Sequence, residues 1–153
     1  MLDKHEKTFI MVKPDGVQRG FIGKIITKFE QKGYKLVSVK FCMATEKMLQ
    51  LHYNEHVGKK FFPNMLKFMM SAPVCAMVWE GLKVVETGRK ILGKTNPLDS
   101  EPGTIRGDYG IDLGRNICHA SDSVTSAENE IKIWFSDGDL IDYTCSQYNW
   151  LYE

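Results

Sequence analysis

His119 stands between a glycine-rich stretch and the start of a helical pattern, preceded by Asn116 and followed by Ser121 and Asp122. A lone histidine reads first as a core residue hydrogen-bonded to backbone, but this neighbourhood also suits covalent chemistry. With an ordinary pKa of about 6.5, an imidazole keeps a neutral, nucleophilic fraction near neutral pH. A carboxylate on one ring nitrogen would fix the tautomer and leave the other nitrogen free to attack. Glu130 is such a carboxylate, but it lies about three helical turns further on, so the chain must fold back for the two to meet. Lys13, Arg89, Arg106 and Arg115 lie at expected element ends or in loops, where they could converge on one anion.

Two other strings imitate known chemistry. Gly88-Arg89-Lys90-Ile91-Leu92-Gly93-Lys94-Thr95 satisfies the phosphate-loop pattern letter for letter. That motif needs a strand entering a glycine-rich turn and a helix leaving it, whose first amides hold the phosphates. Here a helical pattern precedes and Asn96-Pro97 follows, so the loop is rejected, although Arg89 and Thr95 remain candidate phosphate contacts. His52-Tyr53-Asn54-Glu55-His56 fits one zinc-peptidase string. No third ligand is evident, and a solvated helix face is the expected reading.

The elements that would have to position these groups can be read from periodicity. Thr8-Phe9-Ile10-Met11-Val12 is an apolar strand ended by a turn at Pro14-Asp15-Gly16. Phe21, Ile22, Ile25, Ile26 and Phe29 recur at helical spacing until Gly33. Val37, Val39, Phe41 and Met43 alternate with Ser38, Lys40 and Cys42 as a half-buried strand does, and Thr45 can cap the helix that follows. Phe62, Met65, Leu66 and Met69 form another helical stripe, with Pro63 in its first turn. Val74 to Trp79 is apolar throughout, as in a central strand, and Val84, Val85, Gly88, Ile91 and Leu92 give a helical face.

Residues 94–116 then lack apolar periodicity and carry two prolines and four glycines, as a functional loop inside a compact domain does. A short strand at Ile117-Cys118-His119 and a helix from near Ser121 or Asp122 complete the chain. The order implies one α+β domain over residues 1–153. Its expected architecture is a ferredoxin-like βαββαβ plan with a four-stranded antiparallel sheet and helices on one face; a doubly wound parallel sheet is the second choice.

Composition narrows the function classes. The chain has 153 residues, 43% hydrophobic and 25% charged, with a formal net charge of +1. That balance offers no general electrostatic grip on nucleic acid or an anionic membrane, so any bound anion must be held locally. The four cysteines show no metal-ligand spacing, and no apolar run nears the roughly 20 residues of a membrane span. A charged N-terminus without a leader pattern completes the expectation of a cytoplasmic protein.

Asn116-Ile117-Cys118-His119-Ala120-Ser121-Asp122 closely resembles the active-site signature of nucleoside diphosphate kinases. Thr8 to Gly16 resembles the first strand of that family. Lys94-Thr95-Asn96-Pro97 and Pro102 to Asp108 resemble its long loop, and the resemblance runs from about Lys7 to Glu153. It implies a ferredoxin-like fold and ping-pong transfer of a γ-phosphate between nucleotides through phosphohistidine at His119. Lys13 and Asn116 would meet sugar hydroxyls, while Arg89, Thr95 and Arg106 would hold phosphates. Ser121 and Glu130 would orient the ring, with Tyr53 supporting it. Phe61 and Leu113 would sandwich the base, with Met65 also lining the nucleotide site. Mg²⁺ would arrive on the nucleotide phosphates, with Asp122 as a water-mediated contact.

The C-terminal Gln147 to Glu153 resembles the tail of hexameric members, implying a homohexamer built as a dimer of trimers, with the loop around Pro97 in the trimer. Ala120 replaces a common glycine, and Leu113 is bulkier than the usual valine. A silent interaction or nucleic-acid-binding module of the same fold is the alternative, although every matching polar position is filled.

Overall fold

The computed structural model describes residues 1–153. Strands β1 (Lys7–Val12), β2 (Lys35–Cys42), β3 (Val74–Glu80) and β4 (Cys118–Ala120) form one sheet in the order β2-β3-β1-β4, with every neighbouring pair antiparallel. The helices are α1 (Pro14–Gln18), α2 (Ile22–Lys32), α3 (Glu46–His52), α4 (Phe62–Met69), α5 (Val84–Leu92), α6 (Ile105–Tyr109), α7 (Val124–Trp134) and α8 (Tyr148–Leu151). This is the expected ferredoxin-like α+β arrangement, and the parallel alternative falls away.

Local chemistry sets the element ends. Thr45 accepts a hydrogen bond from the Met48 amide at the start of α3, and Pro63 lies in the first turn of α4, where its missing N–H is harmless. Gly33 ends α2 in the left-handed conformation at φ 107°, which costs glycine little. Ser123 caps α7, just beyond the expected start.

Both faces of the sheet are covered, not one. On the first face Ile10, Val12, Met77 and Trp79 pack with Ile25 and Phe29 of α2 and Val84 and Leu92 of α5. On the second, Phe9, Met11, Ala76 and Val78 pack with Leu49 of α3, Met69 of α4 and Ile131 and Trp134 of α7. This explains why β1 and β3 read as continuous apolar runs, since alternate side chains enter different cores.

Three local expectations are corrected. Pro14-Asp15-Gly16 begins the short helix α1, because proline's fixed φ suits a first helical turn as well as a simple turn. Residues 94–116 contain α6 and two 3₁₀ turns, Pro97–Asp99 and Leu113–Arg115, each opened by a side-chain cap from Thr104, Asn96 or Asp112. These pieces are too short to show a helical period. On β2, Val37 is buried, but Val39 and Phe41, and Met43 just beyond the strand, are more than half exposed. The register shifts between Leu36 and Ser38, and the rest of this edge strand extends beyond helical cover within the chain.

Candidate active site

His119 sits on the short edge strand β4, opposite Met11 of β1. Directly opposed residues point to the same face, so its ring lies over the second core while Cys118 and Ala120 enter the first. Helix α7 packs across β1 on that second face, and its second turn brings Glu130 to the ring, where Oε1 meets His119 Nε2. The chain thus folds back as the chemistry requires. Nδ1 is the nitrogen left free, and the side chain is 23% exposed, half sunk in the site floor with Phe9 beneath it at 5.9 Å between ring centroids. Ser121 is buried, its hydroxyl 3.4 Å from the Phe9 carbonyl and within reach of Glu130.

Electrostatics keep this pair uncharged on the ring side. Burial, then the charges of Lys13, Arg106 and Arg89, hold the His119 imidazole well below its ordinary pKa, so the ring is neutral. Burial pushes the Glu130 carboxyl up, against the pull first of His52 and then of its hydrogen bond from Ser121 and of Arg89. Asp122 is exposed at the mouth, its carboxyl held below the usual range by the hydroxyls of Ser126 and Ser123 and by Arg89.

The cations are positioned differently. Lys13 lies between β1 and α1 and donates to Asn116 Oδ1 at 2.9 Å; burial and then Arg106 lower its pKa to about 8. Asn116 in turn donates to the Thr95 carbonyl at 3.0 Å, which fixes the loop beside it. Arg106, on α6, is buried, and its guanidinium donates to the carbonyls of Asn116 (3.1 Å), Gly93 (2.8 Å) and Cys118 (2.7 Å). Two of its five N–H donors remain for an anion. Arg89, exposed on α5, makes one bond to the Ala120 carbonyl at 3.3 Å. Arg115 does not join them: its guanidinium lies 3.9 Å over the Phe68 ring, because a flat cation stacks well on an aromatic face.

That stacking ties the Leu113–Arg115 turn to α4. Leu113 and Phe61 are thereby left half exposed on elements that meet at the mouth, with Met65 partly buried behind Phe61. Thr95 is exposed beside Asn116. Tyr53 packs edge-on against His52 with centroids 4.6 Å apart, and burial together with Glu130 raises its phenol pKa.

The backbone beneath the histidine is strained. Ile117 has φ 76°, rare for a β-branched residue, and the Cys118 amide donates to the Asn116 carbonyl at 2.9 Å across it. Around this three-residue turn the Ile117 amide donates to Asp15 Oδ2 at 2.9 Å, and its carbonyl accepts from the Lys13 amide at 2.9 Å. Such strain costs on the order of 1–3 kcal/mol and persists only where neighbours over-determine it. Ala120 has an ordinary negative φ, so replacing glycine there is free of strain.

A nucleoside diphosphate kinase family model matches residues 6–140. The chain belongs to the nucleoside diphosphate kinase family. Among its relatives, a nucleoside diphosphate kinase of Saccharomyces cerevisiae is 60% identical over 153 residues, all of both chains. The human nucleoside diphosphate kinase A is 59% identical over 148 residues, 97% of each chain. A halophilic nucleoside diphosphate kinase from Halobacterium salinarum, solved in complex with CDP, superposes with a TM-score of 0.94 at 48% identity, covering 97% of this chain and 99% of that one. As in any nucleoside diphosphate kinase, phosphoryl transfer between nucleotides is the activity the site must serve.

Two features of this kinase site escaped sequence reading. His52 is not on a solvated face: its side chain is 1% exposed, edge-on to His119 with centroids 4.6 Å apart. It closes α3 at the point where that helix reaches the second core, and the tyrosine beside it was the only local signal. The Asp15–Ile117 bond spans 102 residues and leaves no local pattern at all. The rejected phosphate loop is confirmed as a helix end, with Gly93 closing α5 and giving its carbonyl to Arg106. No helix is long and apolar enough to cross a membrane.

Proposed function

We propose that this chain, acting as one domain over residues 1–153, moves the γ-phosphate of a nucleoside triphosphate, typically ATP, to a nucleoside diphosphate by a reversible ping-pong route through His119. The observation that carries this reading is the free Nδ1 of a neutral imidazole whose Nε2 is held by Glu130, under three converging cations. The Nδ1 lone pair attacks the γ-phosphorus, the bond to the β-phosphate bridging oxygen breaks, and the diphosphate leaves. The ring's positive charge is balanced by Glu130 as the Nδ1–P bond forms. A β-phosphate oxygen of a second diphosphate then takes the phosphoryl group and restores the imidazole. Such transfer needs mainly positioning and charge at the oxygens, which Arg89, Arg106 and Lys13 supply, with Thr95 as a further phosphate contact.

Lys13 and Asn116 meet the sugar hydroxyls, and the base stacks between Phe61 and Leu113 with Met65 alongside. Stacking reads no base edge, so it tolerates any nucleobase. The CDP held by the Halobacterium relative supports a nucleotide in this slot. Ser121 and Tyr53 steady Glu130 and the ring. Mg²⁺ comes with the nucleotide as part of the substrate. The site fits that: Asp122 is an exposed carboxylate near Arg89, too few oxygens by itself for a protein cage but enough for a contact through water. The enzyme serves nucleotide pools in the cytoplasm as a homohexamer built from two trimers, and its near-neutral charge balance does not indicate nucleic acid as a partner.

Mixing the protein with γ-labelled ATP and Mg²⁺ tests the reading. Acid-labile, alkali-stable label is expected on the wild type, absent from His119→Ala, and passed to added GDP as GTP. Label on folded His119→Ala would overturn it.

A further inference from the structure

His52 contributes nothing to the transfer as written, yet it is more deeply buried than the nucleophile. Its Nδ1 accepts a hydrogen bond from the indole Nε1–H of Trp134 at 3.0 Å. Indole can only donate, so Nδ1 carries no proton, and in a neutral ring the proton is then on Nε2. Nε2 faces Glu130 Oε1 at 3.7 Å, the same oxygen that His119 Nε2 meets. Phe9 lies against this group from β1, its ring centroid 5.7 Å from both His52 and Trp134. Trp134, His52, Glu130 and His119 therefore line up from α7 through α3 and back to α7 before reaching β4, with hydrogen bonds at both ends and an electrostatic contact, longer than a hydrogen bond, between His52 and Glu130.

Resting on the reading of His119 as phosphate carrier, we propose that His52 is a positioning residue: fixed in its tautomer by Trp134, it aims its Nε2–H dipole at the Glu130 carboxylate and steadies that group against His119 Nε2. Two observations favour this role. Besides Ser121, the Glu130 carboxyl is met by His119, the ring that must change charge during transfer. The groups facing His52 are His119, Glu130 and Lys13, with Tyr53 beside it, and burial followed by His119 and Lys13 hold its pKa down to about 3, so it remains neutral at working pH. Neutrality matters physically, because an imidazolium here would pair with Glu130 and weaken the pull of that carboxylate on His119.

The same three side chains could be taken for a metal cage, since the ligand atoms of His52, His119 and Glu130 lie within 4.8 Å of one another. The Trp134 bond argues otherwise. It occupies the lone pair of Nδ1 and leaves the proton on Nε2, the nitrogen that would have to bind the ion.

The test compares phosphoenzyme formation by rapid quench with γ-labelled ATP in the wild type, His52→Leu and His52→Gln, with ¹⁵N NMR of the wild-type histidines. His52→Leu is expected to slow phosphorylation about ten- to a hundredfold, the range typical when a group orienting a reacting ligand is removed. It should lower kcat while leaving KM for nucleotide unchanged. His52→Gln, whose amide N–H lies close to the ring Nε2–H position, should recover most of the rate. NMR should find the His52 proton on Nε2. Equal rates for His52→Leu and wild type, equal losses in the Leu and Gln variants, or a proton on Nδ1 would each overturn the proposal. So would Zn²⁺ binding to the wild type that disappears in His52→Gln. A wild type that takes no label overturns the His119 reading and this one with it, whereas label on the wild type with no effect of Leu overturns this one alone.

Discussion

Arg89 and Arg106 both bring positive charge to His119, but they are held by different means, and replacing them should have separable consequences. Arg106 is buried and satisfies three main-chain carbonyls, so Arg106→Ala strands those acceptors as well as removing charge. We expect it to cost about 3 kcal/mol in denaturant unfolding, as each buried group left unpaired costs about 1–3 kcal/mol. Arg89 is exposed with one long bond, so Arg89→Ala should lower kcat/KM by about a hundredfold or more, of the order seen for a lost transition-state donor, with a thermal midpoint near wild type. Equal stability of the two variants would show that the Arg106 bonds are dispensable.

Lys13 gives the pH dependence: its folded pKa is about 8, below an ordinary lysine, so the ammonium is present below pH 8 and lost above it. The kcat/KM profile, which reports the free enzyme, should therefore fall above about pH 8 with a single-proton slope. The same limb in Lys13→Met would assign it to another group.

At the scale of elements, the site depends on how closely α1 approaches the strained turn before β4. Gly16 is the point of approach: a Cβ there would lie 2.5 Å from the Ile117 carbonyl oxygen and 2.7 Å from Val12 Cγ1. Backbone cannot move aside as a flexible side-chain tip can. Gly16→Ala should thus lift α1 and relax Ile117, destabilising by about 1–3 kcal/mol as overpacking does and lowering phosphoenzyme formation together with stability. A fully active Gly16→Ala would mean that the left-handed Ile117 turn is not needed to present His119. The cap at Thr45 belongs to the same scale, because α3 ends in His52, and Thr45→Ala is expected to cost about 1 kcal/mol in unfolding free energy.

The whole molecule leaves apolar side chains in solvent that a single chain does not use. Trp150 is 91% exposed, and Leu98, Ile111 and Phe41 are each more than half exposed. Trp150 follows from the proposed hexamer as a contact with another copy, so Trp150→Ala should leave the monomer fold intact and lower the assembled mass measured by light scattering. A hexamer mass in that variant at all concentrations would place Trp150 outside the interfaces. The tail also closes on its own chain, with the Tyr152 hydroxyl accepting from the Leu82 amide at 3.2 Å and Leu151 over Gly33, which is why a point change separates the two roles better than a truncation.

The apolar periods of β1, β3, α2 and α5 are local properties of the chain, since each element must bury one face or two, and they determined the sheet and its main helices. The histidine, its carboxylate partner and the surrounding cations were legible because a nucleophile and its electrostatic support require particular residue types, whose joint pattern from Lys13 to Glu130 is specific. What the sequence could not decide was which side chains meet across the sheet. His52 read as solvated because burial belongs to the packing of α3 against α7 and β1, and no local period encodes that. Arg115 read as a member of the site because charge alone carries no direction, whereas its stacking on Phe68 does. The strained turn at Ile117 lay equally hidden, since a left-handed isoleucine is unfavourable locally and is held only by Asp15, Lys13 and Arg106 converging from elsewhere in the fold.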